Sequence, residues 1–263
     1  MREPFIQFKN VYKKFGENQV LNGADLSIYK GEITTIIGKS GGGKSVLLKH
    51  IIGLLEQDSG SILFEGRPVS EMKKAERKIL KRKCSYMFQG TALFDSLTVY
   101  ENIALPLKET TSLSDPEINR RVRDKMDQLD LHGIDDKYPS QLSGGMKKRV
   151  ALARALVTDP EIVLFDEPTT GLDPIRKKAV HEMISDYQQK FGFTGVVVSH
   201  DIPDIFHISQ RVAMLNDGRI LFEGNPAQLT HASDPAVKEF IQGLYINDEN
   251  ITRVHPETNF GHR

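Results

Sequence analysis

The chain has 263 residues, enough for one large domain or two modest ones around a sizeable core. Its 35 Lys and Arg balance 35 Asp and Glu, which argues against a surface dedicated to nucleic acid while leaving room for a local patch, and its single cysteine, Cys84, excludes an intramolecular disulfide and suits a reducing compartment. No apolar run approaches the roughly 18 residues of a membrane span, and Met1 to Lys9 lacks the apolar segment of a signal peptide, so a cytosolic protein is expected.

Phe5 to Tyr12, Leu26 to Lys30 and Ser61 to Gly66 have strand character, with alternation clearest at Ile6, Phe8 and at Leu26, Ile28, and they predict an antiparallel β layer. Phe15, in Lys13-Lys14-Phe15-Gly16 between the first two, is either a core or turn residue or an aromatic that stacks on a nucleotide base. Glu32 to Ile37 reads as a short buried strand and Val46 to Leu55 as a helix apolar nearly all round. Between them, Gly38-Lys39-Ser40-Gly41-Gly42-Gly43-Lys44-Ser45 fits the phosphate-loop pattern G-x-x-x-x-G-K-[ST] at every specified position. Glycines without a Cβ let such a loop turn its N–H groups onto phosphate oxygens, and the following helix adds unpaired N–H groups and the positive end of its dipole. Lys44 supplies charge for the β- and γ-phosphates, and the Ser45 hydroxyl can coordinate the accompanying Mg²⁺.

Met72 to Lys83 predicts a helix with Met72, Ala75, Ile79 and Leu80 on one side; its basic remainder is either a solvated face, the favoured reading, or one that meets an anionic membrane. Ser85 to Phe88 resumes strand character. Thr91 to Leu107 is rich in Leu, Phe, Tyr and Pro and suits core or a docking surface. Ser114 is a helix cap with Glu117 three residues on, opening a helix to about Leu131 and a helical insertion that runs to Leu156.

Glu161 to Glu167 is a buried strand ending in two carboxylates, costly unless they meet cations. Beside a phosphate loop, Asp166 can hold Mg²⁺ and Glu167 can orient or deprotonate an attacking water. Asp173 before Pro174 suits a helix cap. The helix from Pro174 to Lys190 is expected to bury Ile175, Ala179, Val180, Met183, Ile184 and Tyr187. Val196 to Val198 is a further core strand, and His200 just beyond it is a candidate sensor of the γ-phosphate. Asn216-Asp217-Gly218-Arg219 marks a hairpin, Pro235 to Tyr245 a last helix, and the polar segment from Asn247 to Arg263 a mobile tail.

At Leu142-Ser143-Gly144-Gly145-Met146 the sequence resembles the signature of ABC-type ATPases, and the other motifs follow in that family's order from Phe5 to about Leu229. The resemblance implies an α/β phosphate-loop NTPase core with an antiparallel β layer and an inserted helical subdomain. The expected division is a domain over 1–245, with the core at 1–90 and 157–230 and the helical part at 91–156, and a tail at 246–263. It implies ATP as substrate with Mg²⁺, Phe15 on adenine, the loop Gly38 to Val46 on the phosphates, Gln89, Ser45 and Asp166 toward the metal, Glu167 as base with His200 and Lys44, and Asp173 in the D-loop. It further implies a head-to-tail dimer with a second copy, in which Ser143, Gly144, Gly145 and Met146 serve the partner's nucleotide, and no nucleic acid as partner. Met146 replaces the usual glutamine and Val46 the common threonine; neither change removes a phosphate or metal ligand.

Within the family, Met146 and the stretch Phe88 to Leu107 resemble the ATPases of Mla or Mce-type phospholipid transport systems. That likeness implies an integral-membrane permease of the MlaE kind, a periplasmic MCE-type lipid-binding protein reached through it, room for a small regulatory subunit, and a place at the cytoplasmic face of a bacterial inner membrane. An ATPase for lipoprotein release or small-solute uptake, or a soluble ABC ATPase, remains as an alternative.

Overall fold

The computed structural model describes residues 2–87 and 90–252. Its first sheet is antiparallel. Strands β1 (Ile6–Phe15) and β2 (Asn18–Ile28) form a hairpin in register at Phe15 and Asn18, β4 (Ser59–Phe64) pairs with the other edge of β1, and the two-residue β5 (Arg67–Pro68) completes the order β2-β1-β4-β5. Alternation sends Ile6 and Phe8 inward, and a register shift at Asn10, φ 50°, returns Val11 to the same face. Lys13 to Phe15, expected to connect strands, belongs to β1 itself, because cross-strand backbone pairing continues to the turn at Gly16.

The second sheet has the order β10-β9-β3-β8-β7-β6, built from β3 (Ile33–Ile37), β6 (Cys84–Met87), β7 (Ile162–Asp166), β8 (Thr194–Val198), β9 (Arg211–Asn216) and β10 (Arg219–Gly224). All neighbours are parallel except the β9–β10 hairpin, which turns through Asp217 and Gly218 at positive φ, as the Asn-Asp-Gly-Arg run predicts. Strands β3 and β8 are buried at every residue because both faces of the sheet are covered, so they carry no polar alternation.

Helix α1 (Lys44–Ile51) lies between the two sheets: Leu47, Leu48 and Ile51 share one core with Phe8 and Leu26 of the antiparallel layer and Leu164 and Val196 of the parallel one. That sandwiched position explains a helix apolar nearly all round. The opposite face of the large sheet carries a separate core formed with α3 (Val99–Thr110), α4 (Asp115–Gln128), α5 (Gly144–Leu156) and α6 (Pro174–Phe191).

Several local expectations change. Helix α3 holds Pro106 in its last turns, and its signal is the capping box of Thr98 and Glu101. Ser114 stands at the N-cap of α4, but its side chain makes no capping hydrogen bond, and the helix ends at Gln128. Helix α2 (Lys74–Arg82) buries Leu80 and leaves Ile79 exposed. In α6, Ile175 is 83% exposed, whereas His181 and Gln188 are buried. Gln188 donates to the carbonyls of Gly31 and Phe193, so available hydrogen-bond acceptors, rather than hydropathy, select part of that helix's inner face.

The short α7 (Pro226–Leu229) and α8 (Pro235–Thr252) close the chain. Helix α8 continues through 246–252, so the expected tail begins as helix; 253–263 lie outside the described residues, as do Met1, Phe88 and Gln89. Among the described residues, no helix is long and apolar enough to cross a membrane.

Candidate phosphate and nucleotide site

The loop after β3 is shaped by two close approaches. Gly38 has φ 143°, and a Cβ there would stand 2.1 Å from the Leu215 carbonyl oxygen; at Gly43, φ 95°, it would stand 2.8 Å from Val20 Cγ1. Both positions therefore demand glycine. Lys39, Ser40 and Gly41 form the exposed rim of the loop, and with Gly42 they line a cavity of about 360 Å³ bounded by Asn18 to Val20 and Leu215 to Gly218. Gly43 is the N-cap of α1, with no side-chain cap and no acidic residue in the first turn, so the positive end of the helix is left for an anion. Val46 in that first turn donates its N–H to the Gly43 carbonyl and packs against the core between the sheets.

Lys44 is 4% exposed, and its Nζ donates to the carbonyl oxygens of Gly38 (2.9 Å) and Lys39 (2.8 Å). Burial pushes its pKa below the ordinary lysine value, opposed by the charges of Glu167 and Asp166. A phosphate offers this cation the charged partner that carbonyls do not.

The two carboxylates at the end of β7 face different groups. Asp166 accepts from the Ser45 hydroxyl at 3.0 Å and from the Tyr86 hydroxyl at 2.6 Å. Glu167 lies 2.9 Å from His200 Nε2 and accepts from the Thr170 hydroxyl at 3.0 Å, while its own N–H donates to the Val198 carbonyl of β8. Its backbone sits at φ 50°, a left-handed conformation that costs a glutamate about 1 to 3 kcal/mol and concentrates at functional positions. Ser45 and Asp166 together offer hard oxygen donors within 3.0 Å of one another, a set that fits Mg²⁺ completed by phosphate oxygens and water.

Among the described residues, the remaining expected residues make no hydrogen bond or ion pair with these groups. Phe15 ends β1, 46% exposed, with Lys13 Nζ 5.6 Å from its ring centre. Ser143 is the N-cap of α5, accepting from the Met146 N–H at 3.3 Å, and Gly144 and Gly145 are exposed. Among the described residues, no hydrogen bond or ion pair joins 143–146 to 38–46. Asp173 caps α6 by accepting from the Arg176 N–H. Gln89 lies outside the described residues. Sequence reasoning missed Tyr86, which is 80 positions from Asp166 and meets it only because β6 and β7 pair in parallel.

The family model described as ABC transporter matches residues 21–170, more than half of the chain. The chain belongs to the ABC transporter family. Its activity is that family's ATP hydrolysis coupled to transport. This ABC ATPase is 36% identical over 239 residues to the intermembrane phospholipid transport system ATP-binding protein MlaF of Escherichia coli (strain K12), covering 91% of this chain and 89% of that one. It is 40% identical over 225 residues to the Fe(3+) ions import ATP-binding protein FbpC of Photobacterium profundum, covering 86% of this chain and 62% of that one.

Among solved structures, it resembles cbiO1 from Clostridium perfringens, part of the ABC transporter complex cbiONQ, with TM-score 0.80 and 28% identity over 96% of this chain and 99% of that one. It also resembles the dimeric post-hydrolysis state of the ATP-binding cassette MJ0796 bound to ADP and Pi, with TM-score 0.71 and 32% identity over 84% of this chain and 98% of that one.

Proposed function

We propose that this ABC ATPase drives phospholipid movement between a bacterial inner membrane and periplasmic carriers, working as a homodimer at the cytoplasmic face beneath a separate permease. The observation that carries the substrate class is the match to MlaF along nearly the whole of both chains, whereas the iron-import relative extends well beyond the matched part. Iron or other solute import is the second reading, favoured by the 40% identity to FbpC.

In the proposed chemistry the loop Gly38 to Val46 wraps the phosphates of ATP, Lys44 neutralises the β- and γ-oxygens, and Phe15 stacks on the base. Ser45 and Asp166, with Gln89, would hold Mg²⁺, which when bound supplies charge neutralisation across the transferred group. Glu167 takes the proton of the attacking water, and His200, 2.9 Å from the same carboxylate, orients the γ-phosphate. Ser143 to Met146 close on the nucleotide of a second copy, a reading supported by the dimeric MJ0796 cassette. Asp173 and the exposed Ile175 then lie on the face that the second copy covers.

The test is a pull-down of tagged Glu167→Gln with ATP from detergent-solubilised native membranes. A permease accompanied by a periplasmic lipid-binding protein is the expected catch. A permease with a periplasmic metal- or solute-binding protein would move the protein to the second reading.

A further inference from the structure

Two neighbouring residues of the segment after β8 are treated very differently. His200 is 42% exposed in its side chain, with Nε2 2.9 Å from Glu167 Oε1. Asp201, the next residue, is turned inward with 9% side-chain exposure, and three groups from two other elements converge on its carboxylate. Lys177 Nζ of α6 pairs with Oδ1 at 2.5 Å. His181 of the same helix, 4% exposed, brings Nε2 to 3.6 Å from Oδ2, inside ion-pair range though beyond a hydrogen bond. The Thr169 hydroxyl, on the loop that carries Glu167, donates to Oδ2.

The loop around His200 thus has one anchor on each side. Ser199 is buried, donates its N–H to the Ile36 carbonyl of β3 and accepts the Asp201 N–H on its hydroxyl at 3.0 Å. Asp201 supplies the other anchor, and it is shared with the Glu167 loop through Thr169 two residues further along. A single carboxylate is therefore tied to both segments that carry the proposed base and histidine. Burial by itself would push the Asp201 carboxyl up; the facing His181, Lys177 and Thr169 outweigh it and hold the group ionised, below the usual carboxylate range.

We propose that Asp201, gripped by Thr169 and by Lys177 and His181, is a positioning residue that sets His200 against Glu167 for ATP hydrolysis. The proposal rests on the reading of Glu167 and His200 as the reacting pair. Because none of these contacts involves a residue of the phosphate loop, they govern the geometry of turnover rather than the capture of ATP. Displacement of a reacting group by about 1 Å costs up to on the order of a hundredfold in rate.

Steady-state ATP hydrolysis by the full chain tests this, with kcat and KM measured separately and thermal melting as the check of folding. Asp201→Asn and the near-isosteric Thr169→Val are expected to lower kcat by about tenfold and leave KM for ATP within about twofold, while Thr169→Ser, which keeps the hydroxyl, restores the wild-type rate. An unchanged kcat in Thr169→Val, a loss that serine does not repair, or a raised KM with normal kcat would overturn the proposal. If Asp201→Asn does not fold, the Val and Ser pair at 169 decides. Glu167→Gln and His200→Ala are run in the same assay. Wild-type turnover in either removes the reacting pair and with it this proposal, whereas loss in both alongside normal Thr169→Val removes the positioning role alone.

Discussion

Two carboxylate clusters flank the end of β8, and the chain completes them in opposite ways. Asp166 and Glu167 meet hydroxyls and an imidazole, and among the described residues no Lys or Arg forms an ion pair with either. Asp201, a few residues past β8, is enclosed and paired with a lysine. The difference follows from what each cluster has to meet. A buried acid with a protein cation is electrostatically complete and holds elements together, whereas an acid without a lysine or arginine ion pair retains capacity for a metal and a water. Strain follows the same division, since Glu167 carries the left-handed φ.

The strongest way to break this contrast is at the open cluster. Glu167→Gln keeps the shape and removes the proposed base, so kcat should fall by about a hundredfold to ten-thousandfold while ATP binding persists. Near-normal hydrolysis by that variant, measured by phosphate release, would end the assignment of Glu167.

At the closed cluster the effect should appear in stability as well. Asp201→Asn is expected to cost about 2 kcal/mol at pH 7, because a charged hydrogen-bonded pair is lost. The folded carboxyl lies below its ordinary value, so this contribution is complete above the unfolded pKa and is lost as pH falls through the folded one. The gap in melting temperature between wild type and Asp201→Asn should therefore narrow below about pH 4. A gap that stays constant down to about pH 2 would contradict the ionised pair.

A smaller change is expected at the signature helix, where Ser143→Ala removes the N-cap of α5 at about 1 kcal/mol in chemical denaturation. Loss of ATP-dependent dimerisation in the same variant would show that the residue also faces the second copy. The least effect concerns the half-buried Cys84, whose thiol partial burial pushes up to about 12. Its labelling by a maleimide at about pH 8 should be slow in the folded protein and fast in denaturant; rapid labelling of the folded chain would contradict that burial.

Much of the candidate site was legible because its parts are contiguous. The phosphate loop, the acidic strand end and the signature are short runs whose spacing follows from backbone geometry, so Gly38 to Ser45, Asp166 to Glu167 and Ser143 to Met146 stand out without a fold. The β9–β10 hairpin was legible for the same reason. Helix α3 was obscured by Pro106, and the inner face of α6 by His181 and Gln188, polar residues whose buried partners come from distant segments.

The sequence by itself determined the chemistry available: a loop that only glycine can fold, a lysine and serine at its end, paired acids and a histidine after apolar strands. Tertiary structure alone decided which of these meet. Parallel pairing of β6 with β7 brings Tyr86 to Asp166, and the packing of α6 against the segment that follows β8 gives Asp201 its lysine. Such contacts join residues far apart in the chain through sheet register and helix packing, and no local pattern of residues encodes either.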